Sequence, residues 1–321
     1  MTATIHAEMV AAGIKRVSTM EPMAKHTSWH IGGPADVLCV VDDEKHLFCA
    51  IDIARNYHVP WLILGGGYNV LVSDAGIAGI VILNRLRGLG ITQSELGSEL
   101  QCGPGVFFAK AAQYSGKQGY TGFEWGISIP GTVGGGVVNN AGAHASDVSR
   151  ALLYATVVDA HGVRQELSAH DFHYKYRDSM LKAHHTTQSS AVVTHCRFAV
   201  TPDDPEAVLQ RIEDLRVHRI RTQPVKEASA GSTFKNPPDN HAGALIEQAG
   251  LKGYAMGGAQ ISPLHANFII NTGGATASDI VQLIQLAQER VRRQFDVSLE
   301  PEVQFVGRWR EDTLQSVFPA S

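Results

Sequence analysis

Five short segments hold the residues most able to do chemistry. The first, Leu64-Gly65-Gly66-Gly67-Tyr68-Asn69-Val70-Leu71, sets consecutive glycines after an apolar run, so that several backbone N–H groups can approach a diphosphate. A tight structural turn has the same composition, and the segment alone does not separate the two. The second runs from Gly126 to Gly142 and includes Ser128, Ile129, Pro130, Gly131, Thr132, Gly134, Gly135, Asn140, Ala141 and Gly142. Small and hydroxyl residues of this kind make a poor core but a rigid cradle of donors for phosphates. A glycine-rich crossover loop is the plain alternative. The third is Tyr174-Lys175-Tyr176-Arg177-Asp178-Ser179, where Arg177 can clamp a carboxylate through two parallel hydrogen bonds or stand as an ordinary surface arginine.

The fourth, Ala230-Gly231-Ser232-Thr233-Phe234-Lys235-Asn236-Pro237, lacks the spacing of a nucleophile elbow, which argues against an acyl-enzyme at Ser232. That serine could instead give a proton and grip a phosphate, or cap a turn. The fifth is Leu299-Glu300-Pro301-Glu302-Val303-Gln304-Phe305. Burial of Glu302 at the start of an apolar strand would raise its pKa and suit it to act as an acid, whereas a solvated strand end would not. His170-x-x-His173 and His184-His185 invite a metal. No third and fourth ligands recur at the usual spacings, so no metal is expected.

The elements around these segments decide how they are presented. Asp43 and Glu44 precede Leu47, Ala50, Ile51 and Ala54, an amphipathic helical pattern, and Trp61 to Leu64 then reads as a buried strand delivering the first glycines. Beyond the glycines, Val70 to Val72 and Ile80 to Leu83 are strand-like. A dinucleotide fingerprint of the Rossmann type needs a helix directly after its glycines, so two separated loops without one point to a flavin dinucleotide held between two subdomains. We expect an FAD-binding region over residues 1–203, divided near 84/85, and a C-terminal domain over 204–321 whose last strand returns to the active site. The break falls at Thr201-Pro202-Asp203-Asp204-Pro205, where two prolines end a strand and Asp204 can cap a helix.

Composition narrows the classes further. The 321 residues carry 27 Lys plus Arg against 31 Asp plus Glu, which gives no basic footprint for nucleic acid. The longest apolar stretches are of strand length, far short of a membrane span, and residues 1–16 lack the features of a signal peptide. Cys39, Cys49, Cys102 and Cys196 are scattered without a C-x-x-C pair, as expected for a reducing, cytoplasmic setting.

Taken together and in this order, the segments resemble the UDP-N-acetylenolpyruvoylglucosamine reductases. The resemblance runs from Thr27-Ser28-Trp29-His30-Ile31-Gly32-Gly33-Pro34-Ala35-Asp36 to Glu300-Pro301-Glu302-Val303, with Tyr176-Arg177-x-Ser179 and Gly231-Ser232-x-Phe234-Lys235-Asn236-Pro237 between. The absence of a long insertion after Pro237 is similar to the shorter, type II class. The resemblance implies an α+β fold, with two FAD-binding subdomains of the vanillyl-alcohol-oxidase type and a C-terminal α+β substrate domain. It implies FAD held by Gly65, Gly66, Gly67, Asn69, Val70 and Leu71 together with Ser128 to Thr132, Gly134, Gly135 and Asn140 to Gly142 of the second glycine segment. It further implies Arg177, Ser232 and Glu302 as catalytic residues and Tyr176, Asn236, Lys252 and His265 as substrate contacts. The implied reaction is an NADPH-dependent reduction of the enolpyruvyl group of UDP-N-acetylglucosamine enolpyruvate, giving UDP-N-acetylmuramate for peptidoglycan, by a cytoplasmic monomer without nucleic-acid or membrane partners. The chain departs from the family pattern at Tyr68, where Ser is usual, and at Gln304, where Arg is common. An alcohol or sugar oxidase of the same flavin fold and a non-catalytic nucleotide-binding regulator are the alternatives.

Overall fold

Asp43 accepts the His46 N–H at 2.8 Å and so caps helix Glu44–Asn56, which buries Leu47, Ala50, Ile51, Ile53 and Ala54. In the computed structural model, which describes residues 1–95, 97–182 and 189–318, these side chains cover one face of a four-stranded sheet. Its strands run in the order Arg16–Pro22, Pro34–Val41, Ile77–Asn84 and Trp61–Leu64. Alternation along the strands serves both faces: Val37, Cys39, Ile80 and Ile82 pack under the helix, and Leu38, Val81 and Leu83 pack on the other side. Strands Trp61–Leu64 and Ile77–Asn84 are parallel, with Leu64 opposite Leu83, so both chains leave the sheet at the same edge. The first glycines emerge there beside Arg85.

After those glycines comes strand Val70–Val72, as the apolar pattern implies, and it pairs in parallel with Gln304–Val306 from the far end of the chain. The last strand therefore returns to the first glycine loop.

The second unit is an antiparallel sheet ordered Arg164–Ser168, Leu152–Asp159, Ala191–Pro202, Gly97–Cys102 and Leu89–Ser94. Helix Phe108–Lys117 lies against it. Asp204 caps helix Pro205–Thr222 as expected, accepting the Ala207 N–H at 2.9 Å. That helix does not join the C-terminal unit, however. Its buried Val208 and Ile212 enter the core that holds Phe108, Ala111 and Phe123, and a Cβ on Gly116 would lie 2.8 Å from Ile212. The prolines end a strand without ending the packing unit, so we move the boundary from 203/204 to the end of this helix.

Much of the second glycine segment is also helical, where a loop is the natural reading of so many glycines. A 3₁₀ turn covers Glu124–Ser128 and a helix covers Val133–Asn139. Cβ atoms would meet Pro104 at 2.7 Å from Gly134 and Phe108 at 2.1 Å from Gly136. Two of these glycines thus allow close packing, while Gly135 faces open space, with only Thr132 Oγ1 at 3.7 Å.

The C-terminal unit packs helix Ala277–Phe295, which has a Thr276–Asp279 capping box, on a three-stranded sheet of Ala255–Met256, Ala259–Ile261 and Ile269–Asn271. Its core takes in Trp29 and Leu71 from the first unit. Trp29 Nε1 donates to the Ile269 carbonyl at 2.7 Å, and Asp74 accepts the N–H groups of Ala277 and Ser278 at 2.8 and 3.0 Å. The described part of the tail closes this core: Phe305 packs between Trp309 and Phe318. Among the described residues, no helix is long and apolar enough to cross a membrane. His184 and His185 lie outside the described residues, and His170 and His173 belong to no metal-competent cluster among them.

Candidate active site

The two glycine segments lie against each other. A Cβ on Gly65 would stand 2.1 Å from Thr132 Oγ1, and one on Gly66 would stand 3.2 Å from Gly131 Cα. A side chain at Gly65 would force Thr132 to move, and one at Gly66 would crowd Gly131, so the two glycines ease the approach. The cleft between the loops has a volume of about 310 Å³. It is lined by Gly65–Gly67, Ser128–Thr132 and Gly134–Gly136 and by the aliphatic side chains of Ile63, Leu64, Val138, Val192 and Val193. Among the described residues, the N–H groups of Gly66, Gly67 and Gly135 meet no protein acceptor. Donors of that kind at one end and an apolar slot beside them fit a dinucleotide with a diphosphate and a flat ring, which is what FAD requires.

Not every residue expected at the cofactor lines this cleft. Leu71 is buried in the C-terminal core instead. Asn140, left-handed at φ 46° at the end of its helix, donates to the Lys175 carbonyl at 3.0 Å and accepts the Ser149 N–H at 3.0 Å. Its side chain thus braces the arginine turn. Asn69, also left-handed, donates from Nδ2 to the Glu302 carbonyl at 3.3 Å, accepts the Gln304 N–H at its own carbonyl, and donates its own N–H to the Ala230 carbonyl. It ties the first glycine loop to the two segments that carry Ser232 and Glu302.

At its far end the cleft opens on Arg177, Ser232 and Glu302, and these same residues line a second pocket of about 340 Å³. Arg177 sits at the tip of a turn closed by reciprocal Lys175–Asp178 backbone hydrogen bonds, in a left-handed conformation at φ 57°. Its Nε meets Glu302 Oε1 at 3.0 Å, and its Nη atoms donate to the carbonyls of Asn140 and Gly142. Glu302 is fixed through its N–H to the Thr233 carbonyl. Burial pushes the Glu302 carboxyl upward, while Arg177, Lys182 and Lys235 pull it down without cancelling the rise. Gly231 takes φ 98° in open space and turns the half-buried Ser232 towards this corner.

The second pocket gathers Tyr176, Asn236 and His265 with His241 and Glu247. Burial holds the His265 imidazole below its usual range, and its Nδ1 accepts the Asn267 N–H. Lys252 does not line this pocket; its ammonium pairs with Glu247 at 2.9 Å, one residue removed from it. Sequence reasoning missed Arg219 and Gln223, which line the cleft from the end of helix Pro205–Thr222 and just beyond it. It also missed Lys182, which donates to the Arg177 carbonyl at 2.8 Å and is driven down by burial and by Lys235. His144, bonded to Ser128 at 2.8 Å, was likewise unmarked. Each matters through tertiary placement, and none sits in a local pattern that announces it.

Two family models match the chain: an FAD binding domain over residues 35–168, and the UDP-N-acetylenolpyruvoylglucosamine reductase C-terminal domain over 223–306, which begins just after helix Pro205–Thr222 ends. The UDP-N-acetylenolpyruvoylglucosamine reductase 1 of Bacillus cereus is 38% identical over 302 residues, covering 94% of this chain and 98% of that protein. The Bacillus subtilis reductase is 37% identical, covering 94% and 97%. The crystal structure of UDP-N-acetylenolpyruvylglucosamine reductase from Thermus caldophilus superposes with a TM-score of 0.75 at 31% identity, covering 91% of this chain and 99% of that one.

Proposed function

The chain belongs to the UDP-N-acetylenolpyruvoylglucosamine reductase family of FAD-dependent oxidoreductases, and from that premise we propose that it reduces the enolpyruvyl ether of a UDP-N-acetylglucosamine substrate to the lactyl ether, with NADPH as reductant, making UDP-N-acetylmuramate for peptidoglycan. The observation that carries this reading is the junction of two cavities at Arg177, Ser232 and Glu302. A cofactor in the glycine-lined cleft and a substrate in the second pocket would meet only there.

Bound FAD would supply the hydride chemistry that no side chain can provide. The chain's own residues then have three tasks. Arg177, which lines both cavities, would grip the substrate carboxylate and hold the negative charge that develops on it. Ser232 Oγ would protonate the carbon beside the ether oxygen, and a carbanion-like carbon is a strong enough base to take a proton from a serine. Glu302 would share a proton with the same developing charge. Its pair with Arg177 opposes the rise that burial causes, so a substrate carboxylate that competes for Arg177 would raise the Glu302 carboxyl further and help it hold a proton. Tyr176, Asn236 and His265 would contact the sugar nucleotide, with Lys252 acting from behind Glu247. The reading includes a cytoplasmic monomer; the four cysteines are free thiols, as a reducing compartment would keep them.

An anaerobic absorbance trace tests it. NADPH should bleach the flavin band, and the UDP-enolpyruvyl sugar should restore it. Restoration by oxygen alone, together with oxidation of an alcohol or sugar in the absence of NADPH, would replace the reductase reading by an oxidase of the same fold.

A further inference from the structure

Arg85 follows strand Ile77–Asn84 and lies beneath the first glycine loop. Its Nη1 donates to the Gly65 carbonyl at 2.5 Å and to the Asn84 carbonyl at 3.4 Å. This side chain is half-buried, yet among the described residues it forms no ion pair, and the charges that it faces are Arg16 and Arg87, both positive. A half-buried guanidinium with like-charged neighbours and no acid is costly, and the carbonyls that it meets could be satisfied by a neutral donor. The positive charge therefore has no counter-ion among the described residues.

The peptide that Arg85 holds shows where that counter-ion belongs. In a trans peptide the C=O and the N–H point in opposite directions, so fixing the Gly65 carbonyl towards Arg85 turns the Gly66 N–H away from it. Gly66 lines the cleft, and its N–H has no protein acceptor among the described residues. From the other side, Thr132 Oγ1 lies so close to Gly65 that a Cβ there would stand 2.1 Å from it. A cation hydrogen-bonded to the carbonyl also polarises the peptide and makes its N–H a better donor.

We propose that Arg85 is the positioning residue for the cofactor's diphosphate, orienting and polarising the Gly65–Gly66 peptide and supplying the counter-charge from beneath the loop. This rests on the assignment of the first glycine loop to the diphosphate. The test uses the full chain freed of flavin and compares ADP with adenosine and FAD with riboflavin by titration calorimetry. Wild-type protein should prefer the phosphorylated member of each pair. Arg85→Met should weaken ADP and FAD by about tenfold or more, equivalent to ~1.4 kcal/mol, and leave adenosine and riboflavin unchanged. Should the Met variant fold poorly, Arg85→Lys and Arg85→Gln carry the same test: lysine should keep most of the phosphate preference and glutamine should lose it. Equal losses for phosphorylated and unphosphorylated ligands would mean a merely structural arginine and overturn the proposal. Wild-type discrimination that survives Arg85→Met and Arg85→Gln would overturn it as well. A wild-type protein that binds ADP no better than adenosine would remove the diphosphate assignment of the loop, and the role of Arg85 with it.

Discussion

The cleft and the corner on which it opens are built from opposite materials. The cleft is glycine backbone and aliphatic side chains, with its donors fixed by the contact of Gly65 on Thr132 and Gly66 on Gly131. The corner crowds Arg177, Lys182, Lys235 and Glu300 around a partly buried Glu302. Backbone donors do not titrate and cannot be removed by truncating a side chain, so the cleft should hold its ligand with little dependence on pH. The corner works through charges whose balance shifts when a ligand carboxylate enters. One region is therefore sensitive to added volume, and the other to lost charge or a lost proton.

The largest expected break between them is Ser232→Ala. Reduction of the flavin by NADPH should proceed as in wild type, while reoxidation by the enolpyruvyl substrate should slow by ~10² to 10⁴ if the loss is that of proton donation. Stopped-flow absorbance separates the two half-reactions. Equal damage to both would erase the distinction between cleft and corner. Arg177→Lys belongs to the same test, because it keeps a positive charge but loses the fork that reaches Glu302, Asn140 and Gly142. It too should impair reoxidation selectively.

The converse break adds one methyl group to the cleft. Gly65→Ala would place its Cβ 2.1 Å from Thr132 Oγ1 and should cost about 1–3 kcal/mol in thermal or denaturant unfolding, with loss of bound flavin. Thr132→Ala removes the clashing oxygen, so the double variant should recover much of that loss, a coupling that a double-mutant cycle measures directly. Gly135→Ala, which meets nothing closer than 3.7 Å, should be milder. Independent, additive effects at 65 and 132 would show that the loops do not hold each other.

A control lies outside both regions. Asp74→Ala removes the acceptor for Ala277 and Ser278 N–H at the start of helix Ala277–Phe295 and should cost about 1 kcal/mol in a melting experiment, without altering either half-reaction.

What could be read from sequence divides along the same line. Gly65 to Gly67, Arg177, Ser232 and Glu302 stand in short patterns whose residue types are unusual in themselves, so both cavities were visible in outline. Lys182, Arg219 and Arg85 were not, because an isolated basic residue in a loop or on a helix looks the same whether it faces solvent or a carbonyl inside the fold. Helix Pro205–Thr222 was seen as a helix but assigned to the wrong neighbour: an apolar stripe of Val208, Leu209, Ile212 and Leu215 states that something is packed, not what. The glycines carry a second task that the sequence does not announce, since Gly134 and Gly136 line the cleft and also allow close packing on Pro104 and Phe108. Asn140, read from sequence as a cofactor residue, has a task that the sequence does not show, since its side chain holds the arginine turn.

The smallest expected effect is a slope against pH, and it bears most directly on why Glu302 sits among three cations. Its carboxyl titrates above the usual value of 4.5 because burial outweighs Arg177, Lys182 and Lys235. A group raised in the folded state binds its proton more tightly there than in the unfolded chain, so the stability it contributes is complete below its unfolded pKa and is lost as pH rises through the folded one. Glu302→Gln has no such titration. The difference in melting temperature between Gln variant and wild type should therefore move in favour of the variant from about pH 4 upward and level off once wild-type Glu302 is ionised. If the Arg177 pair governed the site instead, the carboxyl would titrate below its usual value and the difference would run the other way, in favour of wild type with rising pH. A slope of that sign would mean that Glu302 enters the reaction as a fixed anion, and the acid role would have to pass to another group at the corner.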